Sequence, residues 1–196
     1  MSLNNINSAL EPVIKAFDEL GILYYIGGSL ASSSYGVARS SLDVDFVSDL
    51  SLHHIQPLVD KLAKSFYIDA MMIEDAINNK GTFNLLHLES MLKIDVFILK
   101  DQVYFRNAFN RRITKTIDED NQPLKLVLCS PEDIILIKLD WYRSGGELSE
   151  RQWQDVAGVI KVQDKSLDKK YLTKWGEELG INDLLIKSFK ECGIDI

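Results

Sequence analysis

Apolar residues recur at three- and four-residue spacing near the start of the chain: Leu10, Val13, Ile14, Phe17 and Leu20. That period lays them along one stripe of a helix, so residues 6–20 are predicted helical, with Gly21 as the stop. Residues 22–26, Ile-Leu-Tyr-Tyr-Ile, are β-branched and aromatic and predict a strand that Gly27-Gly28 breaks. A short helix over 29–36 ends at Gly36. Residues 43–47 alternate in polarity and form the next strand, and 54–65 return to helical spacing, with Ile55, Leu58, Val59 and Leu62 on one side. Two strands follow at 82–88 and 92–99, joined by a turn around Glu89-Ser90. A further pair, 111–117 and 124–128, flanks the polar turn 118–123.

The pattern changes at Ser130. Ser130-Pro131-Glu132-Asp133 is a helix start: a hydroxyl at the N-cap, proline at the first helical position and acids in the first turn. Ile134, Ile135, Ile137 and Leu139 continue that helix to Ser144-Gly145-Gly146. Ser149-Glu150-Arg151-Gln152 has capping-box spacing and opens another. Residues 168–179 and 182–191 predict two more. The expected organisation is therefore α+β: a mixed-sheet part over 1–128 and a helical C-terminal region over 130–196.

The 196 residues suit one domain or a domain with a small appendage. A net charge of −7 argues against an extended nucleic-acid surface, because phosphate binding draws on clustered Lys and Arg. Two cysteines, Cys129 and Cys192, are too few for a disulfide framework and lack metal-ligand spacing. No basic-then-apolar leader opens the chain, and no apolar run approaches the ~20 residues of a membrane helix. The expectation is a cytoplasmic protein with no membrane partner.

Three acids change the picture. Asp43 and Asp45 stand two apart on a predicted strand, so both carboxylates share a face while Leu42, Val44 and Phe46 point the other way. Asp95 alternates in the same manner with Ile94 and Val96, on a strand that could lie beside 43–47. Two like charges held side by side repel unless a cation sits between them. Mg²⁺ takes oxygen ligands and is commonly held by a few carboxylates plus substrate phosphates. The Gly27-Gly28-Ser29 turn opens a helix, so its N–H groups can meet phosphate.

Ile26-Gly27-Gly28-Ser29, Asp43-Val44-Asp45 and the later strand residue Asp95 together resemble the DNA polymerase beta-type nucleotidyltransferase superfamily. The run Arg39-Ser40-Ser41-Leu42-Asp43 is similar to the basic and hydroxyl stretch that often precedes the first carboxylate there. In size and layout the chain resembles small bacterial members of toxin–antitoxin, abortive-infection or aminoglycoside type. The resemblance implies that Asp43, Asp45 and Asp95 bind two Mg²⁺ ions and are catalytic. It implies that Gly27, Gly28 and Ser29 hold a nucleoside triphosphate, with Arg39 and Lys138 as further phosphate contacts. The implied reaction moves a nucleoside monophosphate to a hydroxyl of a small molecule, a protein or an RNA end and releases pyrophosphate. The helical region would pack beside the active site as one wall of the acceptor cleft.

Competing readings stand beside these. Lys138, amid apolar neighbours, could instead run its stem over the core. Arg39 could pair with a nearby acid. His53, His54 and His87 read as ordinary surface or core histidines, and Trp141, Tyr142 and Trp153 as core rather than a base-stacking platform. The alternative function is a nucleotide-binding or partner-binding protein of the same fold without turnover.

Overall fold

A computed structural model describes residues 3–38, 43–119 and 122–196. In chain order the first elements are α1 (Leu3–Leu20), β1 (Tyr24–Ile26), α2 (Gly28–Tyr35), β2 (Asp43–Ser48), α3 (Ile55–Leu62), β3 (Phe66–Tyr67), α4 (Ala70–Asn79) and β4 (Thr82–His87). They are followed by β5 (Lys93–Ile98), α5 (Val103–Asn110), β6 (Ile113–Glu119), β7 (Gln122–Leu128), α6 (Pro131–Ser144), α7 (Glu150–Gln163), α8 (Lys169–Glu178) and α9 (Asn182–Glu191). The chain divides into two units. One is Met1–Ile26 with Ser40–Leu128; the other is Gly27–Arg39 with Cys129–Ile196. The segment after β1 thus groups with the C-terminal helices, not with the N-terminal part to which sequence order alone would assign it.

The first unit is built on a seven-stranded mixed sheet in the order β3-β4-β5-β2-β1-β7-β6. β1 pairs antiparallel with β2 and parallel with β7, and β2 pairs parallel with β5. One face is apolar because every second residue of the central strands is: Val44 and Phe46 on β2, Ile94 and Val96 on β5, Phe83 and Leu85 on β4 are all buried. The stripe of α1 lies on this face. Its Phe17 ring meets Tyr24 at 5.5 Å and Phe46 at 5.8 Å between centroids, both edge-on. That geometry suits the ring quadrupole and adds to the area buried. The opposite face carries the other half of the alternation, with Asp43 and Asp45 on β2 and Lys93 and Asp95 on β5.

Two helices and a strand in this unit have no counterpart in the hydrophobic periodicity of the sequence. α4 buries only Ile73 and Ala76, and α5 only Tyr104, Ala108 and Phe109. β3 is two residues long. β6 and β7 also run further than expected. Backbone pairing continues to Glu119 and Gln122, through most of the stretch expected to be a turn.

The second unit is helical. Ser130 is the N-cap of α6: its Oγ accepts from the Asp133 N–H at 3.2 Å and donates to Asp133 Oδ2 at 2.6 Å. Ser149 caps α7 in the same way, accepting from the Gln152 N–H. The residues of α6 from Pro131 to Leu139 are all buried, because α2, α7, α8 and α9 surround it. Gly36, which closes α2, sits against the backbone of α7. A Cβ there would lie 2.8 Å from both the Gly158 carbonyl carbon and the Val159 nitrogen. Neither neighbour is a side chain that can rotate away. Gly36→Ala should therefore destabilise the protein by about 1–3 kcal/mol, the usual range for overpacking. A lowered urea midpoint with an unchanged denaturant slope checks this.

Candidate active site

The alternation that buries Val44 and Phe46 turns Asp43 and Asp45 onto the opposite face of β2. β5 runs parallel beside it in a register that pairs Asp43 with Lys93 and Asp45 with Asp95. Residues paired across neighbouring strands share a face. All three acids therefore project from one side of the sheet, from the first halves of two adjacent strands. β4 continues the row, with Asn84 opposite Asp95. Asp43 is exposed, and Asp45 and Asp95 are half-buried.

One cation is already among them. Lys93 Nζ lies 2.9 Å from Asp95 Oδ2, with the Asp95 side chain 15% exposed and that of Lys93 43%. The hydrogen bond to Asp95, together with the charges of Asp95, Asp43 and Asp45, holds the Lys93 ammonium above the ordinary lysine range. Lys93 and Asn84 were not singled out in the sequence. For Lys93 the signal was present, since it stands two residues before Asp95 on the same strand and must share its face. For Asn84 there was none, because its place in the row depends on a register that only the folded sheet supplies.

The donor set suits a hard divalent cation: three carboxylates on one face, with no sulfur or imidazole among them. Among the described residues, no three His, Cys, Asp or Glu side chains form a ready-made cage as they stand. Asp95 is turned onto Lys93 instead. The residues fit Mg²⁺ in chemistry and in strand position.

The remaining candidates lie as follows. β1 ends at Ile26, register partner of Phe46, and Gly27 is the next residue of the chain. In the second unit, Gly27 is the N-cap position of α2, and Gly28 has φ +53°, a conformation that glycine adopts without strain. Ser29 is in the first turn of that helix. Lys138 lies in the middle of α6, 4% exposed, and its ammonium donates to Asp155 Oδ2 of α7 at 2.8 Å. Any reach toward a triphosphate would require that pair to open. Arg39 lies outside the described residues.

Among the aromatic candidates, Tyr142 packs against Trp153 with ring centroids 5.2 Å apart, and Trp153 Nε1 donates to Glu191. Trp141 is exposed. His87 is buried against Phe66, with Nδ1 2.8 Å from Ser90 Oγ. His53 and His54 both set Nδ1 within 3.0 Å of Ser51 Oγ. Cys129 is fully buried and Cys192 partly so. No helix among the described residues is long and apolar enough to cross a membrane.

No protein-family model matches the chain, and no curated protein matches it. Among solved structures it is similar to an antigenic nucleotidyltransferase-like protein from Paracoccidioides brasiliensis. That match has 16% identity and a TM-score of 0.56, covering 100% of this chain and 96% of that one. It also aligns with the lincosamide antibiotic adenylyltransferase LnuA in its lincomycin-bound form. There the identity is 16% and the TM-score 0.47, over 83% of this chain and 98% of that one. A third alignment is with the antibiotic-resistance factor ANT(2'')-Ia: 14% identity, TM-score 0.49, 94% of this chain and 92% of that one. At such identities the likeness is one of fold. The chain has the nucleotidyltransferase fold.

Proposed function

We propose that this protein is a Mg²⁺-dependent nucleotidyltransferase that moves a nucleoside monophosphate from a nucleoside triphosphate to a hydroxyl acceptor. The observation that carries the reading is the row of acids on β2 and β5, with Asp45 in register with Asp95 and Asp43 on the same face. An unfolded or merely solvated surface has no need to align three like charges, and Asp is depleted in strands. The fold supports the same reading.

In the transfer, an acceptor oxygen forms a bond to the α-phosphorus. The bond from that phosphorus to the β-bridging oxygen breaks, and pyrophosphate leaves with the electron pair. Asp43, Asp45 and Asp95 would hold two Mg²⁺ ions, which when bound offset charge on the attacking and leaving oxygens. We assign to Asp95 the further role of accepting the acceptor's hydroxyl proton. We assign Gly27, Gly28 and Ser29 to the triphosphate, because the dipole at a helix N-terminus favours negative charge and a glycine turn lets the backbone approach phosphate oxygens closely. Arg39, four residues before Asp43, is proposed to share that charge. Lys138 is engaged by Asp155, and we leave it to the fold of the helical unit.

A second reading is favoured by the Lys93–Asp95 ion pair and the absence of a ready-made cage among the described residues. It is a nucleotide-binding or partner-binding protein of this fold without turnover. One experiment separates the two. Each of the four α-labelled triphosphates is offered with Mg²⁺ and cell extract, and labelled acceptor is sought beside a direct measurement of triphosphate binding. Label on a small molecule, a protein or an RNA end supports transfer and names the acceptor. Binding without label supports the second reading.

A further inference from the structure

We propose that Lys93 is a built-in competitor for the metal: its ammonium holds Asp95 in the metal-free protein and must leave that carboxylate when a divalent cation loads. The inference rests on the metal-binding reading of the acids given above. The acids and the lysine occupy one face, and Lys93 is the register neighbour of Asp43 while it bonds Asp95. Its ion pair thus lies within β5, beside the strand that carries Asp43 and Asp45. In the apo protein this arrangement relieves the repulsion that three aligned carboxylates would otherwise impose on the sheet.

The same contact opposes metal entry. Asp95 Oδ2 is the atom that Lys93 holds at 2.9 Å. A divalent cation sharing that oxygen would meet the ammonium as a like charge at close range. The lysine can give way at little cost, since its side chain is 43% exposed and its flexible stem can carry the charge into water. The pair is also of the half-exposed kind that contributes modestly to stability. Lys93 thus sets a threshold for metal loading. Asp95 stays paired until a divalent cation displaces the ammonium.

Mn²⁺ binding, followed through the electron paramagnetic resonance signal of the free ion without nucleotide, tests this. Lys93→Met should bind Mn²⁺ about two- to fivefold more tightly than the wild type, the scale of one half-exposed ion pair. Lys93→Arg keeps the cation and should stay near the wild-type value. In the wild-type protein with ¹³C-dimethylated lysines, added Mg²⁺ should shift the Lys93 resonance, identified by its loss in Lys93→Arg. Circular dichroism confirms that each variant is folded, and the lysine resonance needs no destabilised variant at all.

Unchanged or weaker Mn²⁺ binding in Lys93→Met, with Asp45→Asn abolishing binding, overturns the competitor role and leaves the metal reading standing. Equal tightening in Lys93→Arg and Lys93→Met overturns it as well, and so does a Lys93 resonance indifferent to Mg²⁺. Absence of Mn²⁺ binding in every protein, wild type included, removes the metal reading and the competitor together.

Discussion

Asp45→Asn should reduce nucleotidyl transfer by about a thousandfold or more, the scale of losing one group that stabilises developing charge, while the protein stays folded. Asp45 is the centre of the acidic row. Asp95 is its partner on the neighbouring strand, and Asp43 is two residues away on its own. The amide has the same shape, so the apolar half of β2, Val44 and Phe46, keeps its packing. What changes is charge. One carboxylate fewer lowers affinity for a hard cation, and the amide nitrogen is a donor where an acceptor is needed. Without metal, the melting temperature should hold or rise, because the repulsion of Asp45 with Asp43 and Asp95 is relieved and Lys93 keeps its hydrogen bond to Asp95. Label transfer from an α-labelled triphosphate, measured beside thermal unfolding in chelator, checks both halves. Undiminished transfer would place the reacting metal elsewhere in the protein.

That prediction was within reach of the sequence because a strand repeats every two residues. Asp43-Val44-Asp45 and Ile94-Asp95-Val96 declare which side each acid faces, provided they are strands. The same rule puts Lys93 on the face of Asp95. What periodicity cannot supply is strand order. That β5 lies beside β2, and that Asp45 meets Asp95 and not Phe97, depends on long-range pairing between segments some fifty residues apart. Helix starts were legible where a side chain does the capping, as at Ser130 and Ser149. α4 has such a cap in Asp69, which accepts from the Met71 and Met72 N–H groups. Its apolar stripe, however, is only Ile73 and Ala76, too thin to register as a period. α5 lacks even that signal, because Gln102 makes no side-chain cap bond. The grouping of Gly27–Arg39 with the C-terminal helices leaves no compositional mark, since Ala31 and Tyr35 are buried as any helix stripe would be.

The largest expected effect on stability lies in the helical unit. Asp155→Ala should destabilise the protein by about 3–5 kcal/mol, because it strands the Lys138 ammonium in the interior. Both side chains of this pair are only 5% exposed, and Nζ and Oδ2 are 2.8 Å apart. Lys138 stands among Ile134, Ile135, Ile137 and Leu139, all buried. A charge deprived of its partner in such surroundings carries a large desolvation penalty. Lys138→Ala should also destabilise the protein, by removing the ammonium that donates to the buried Asp155 carboxylate. The double variant Lys138→Met/Asp155→Leu removes both charges and keeps the side-chain lengths and branching close, so it should recover much of the loss. Urea unfolding of the two single variants and the double variant measures the coupling directly. The folded double variant also isolates the role of the ammonium. If Lys138 serves the helical core alone, triphosphate affinity in the double variant stays at the wild-type value. A clear drop in affinity at full stability would mean that the pair opens to let Lys138 reach phosphate, and would return Lys138 to the nucleotide site.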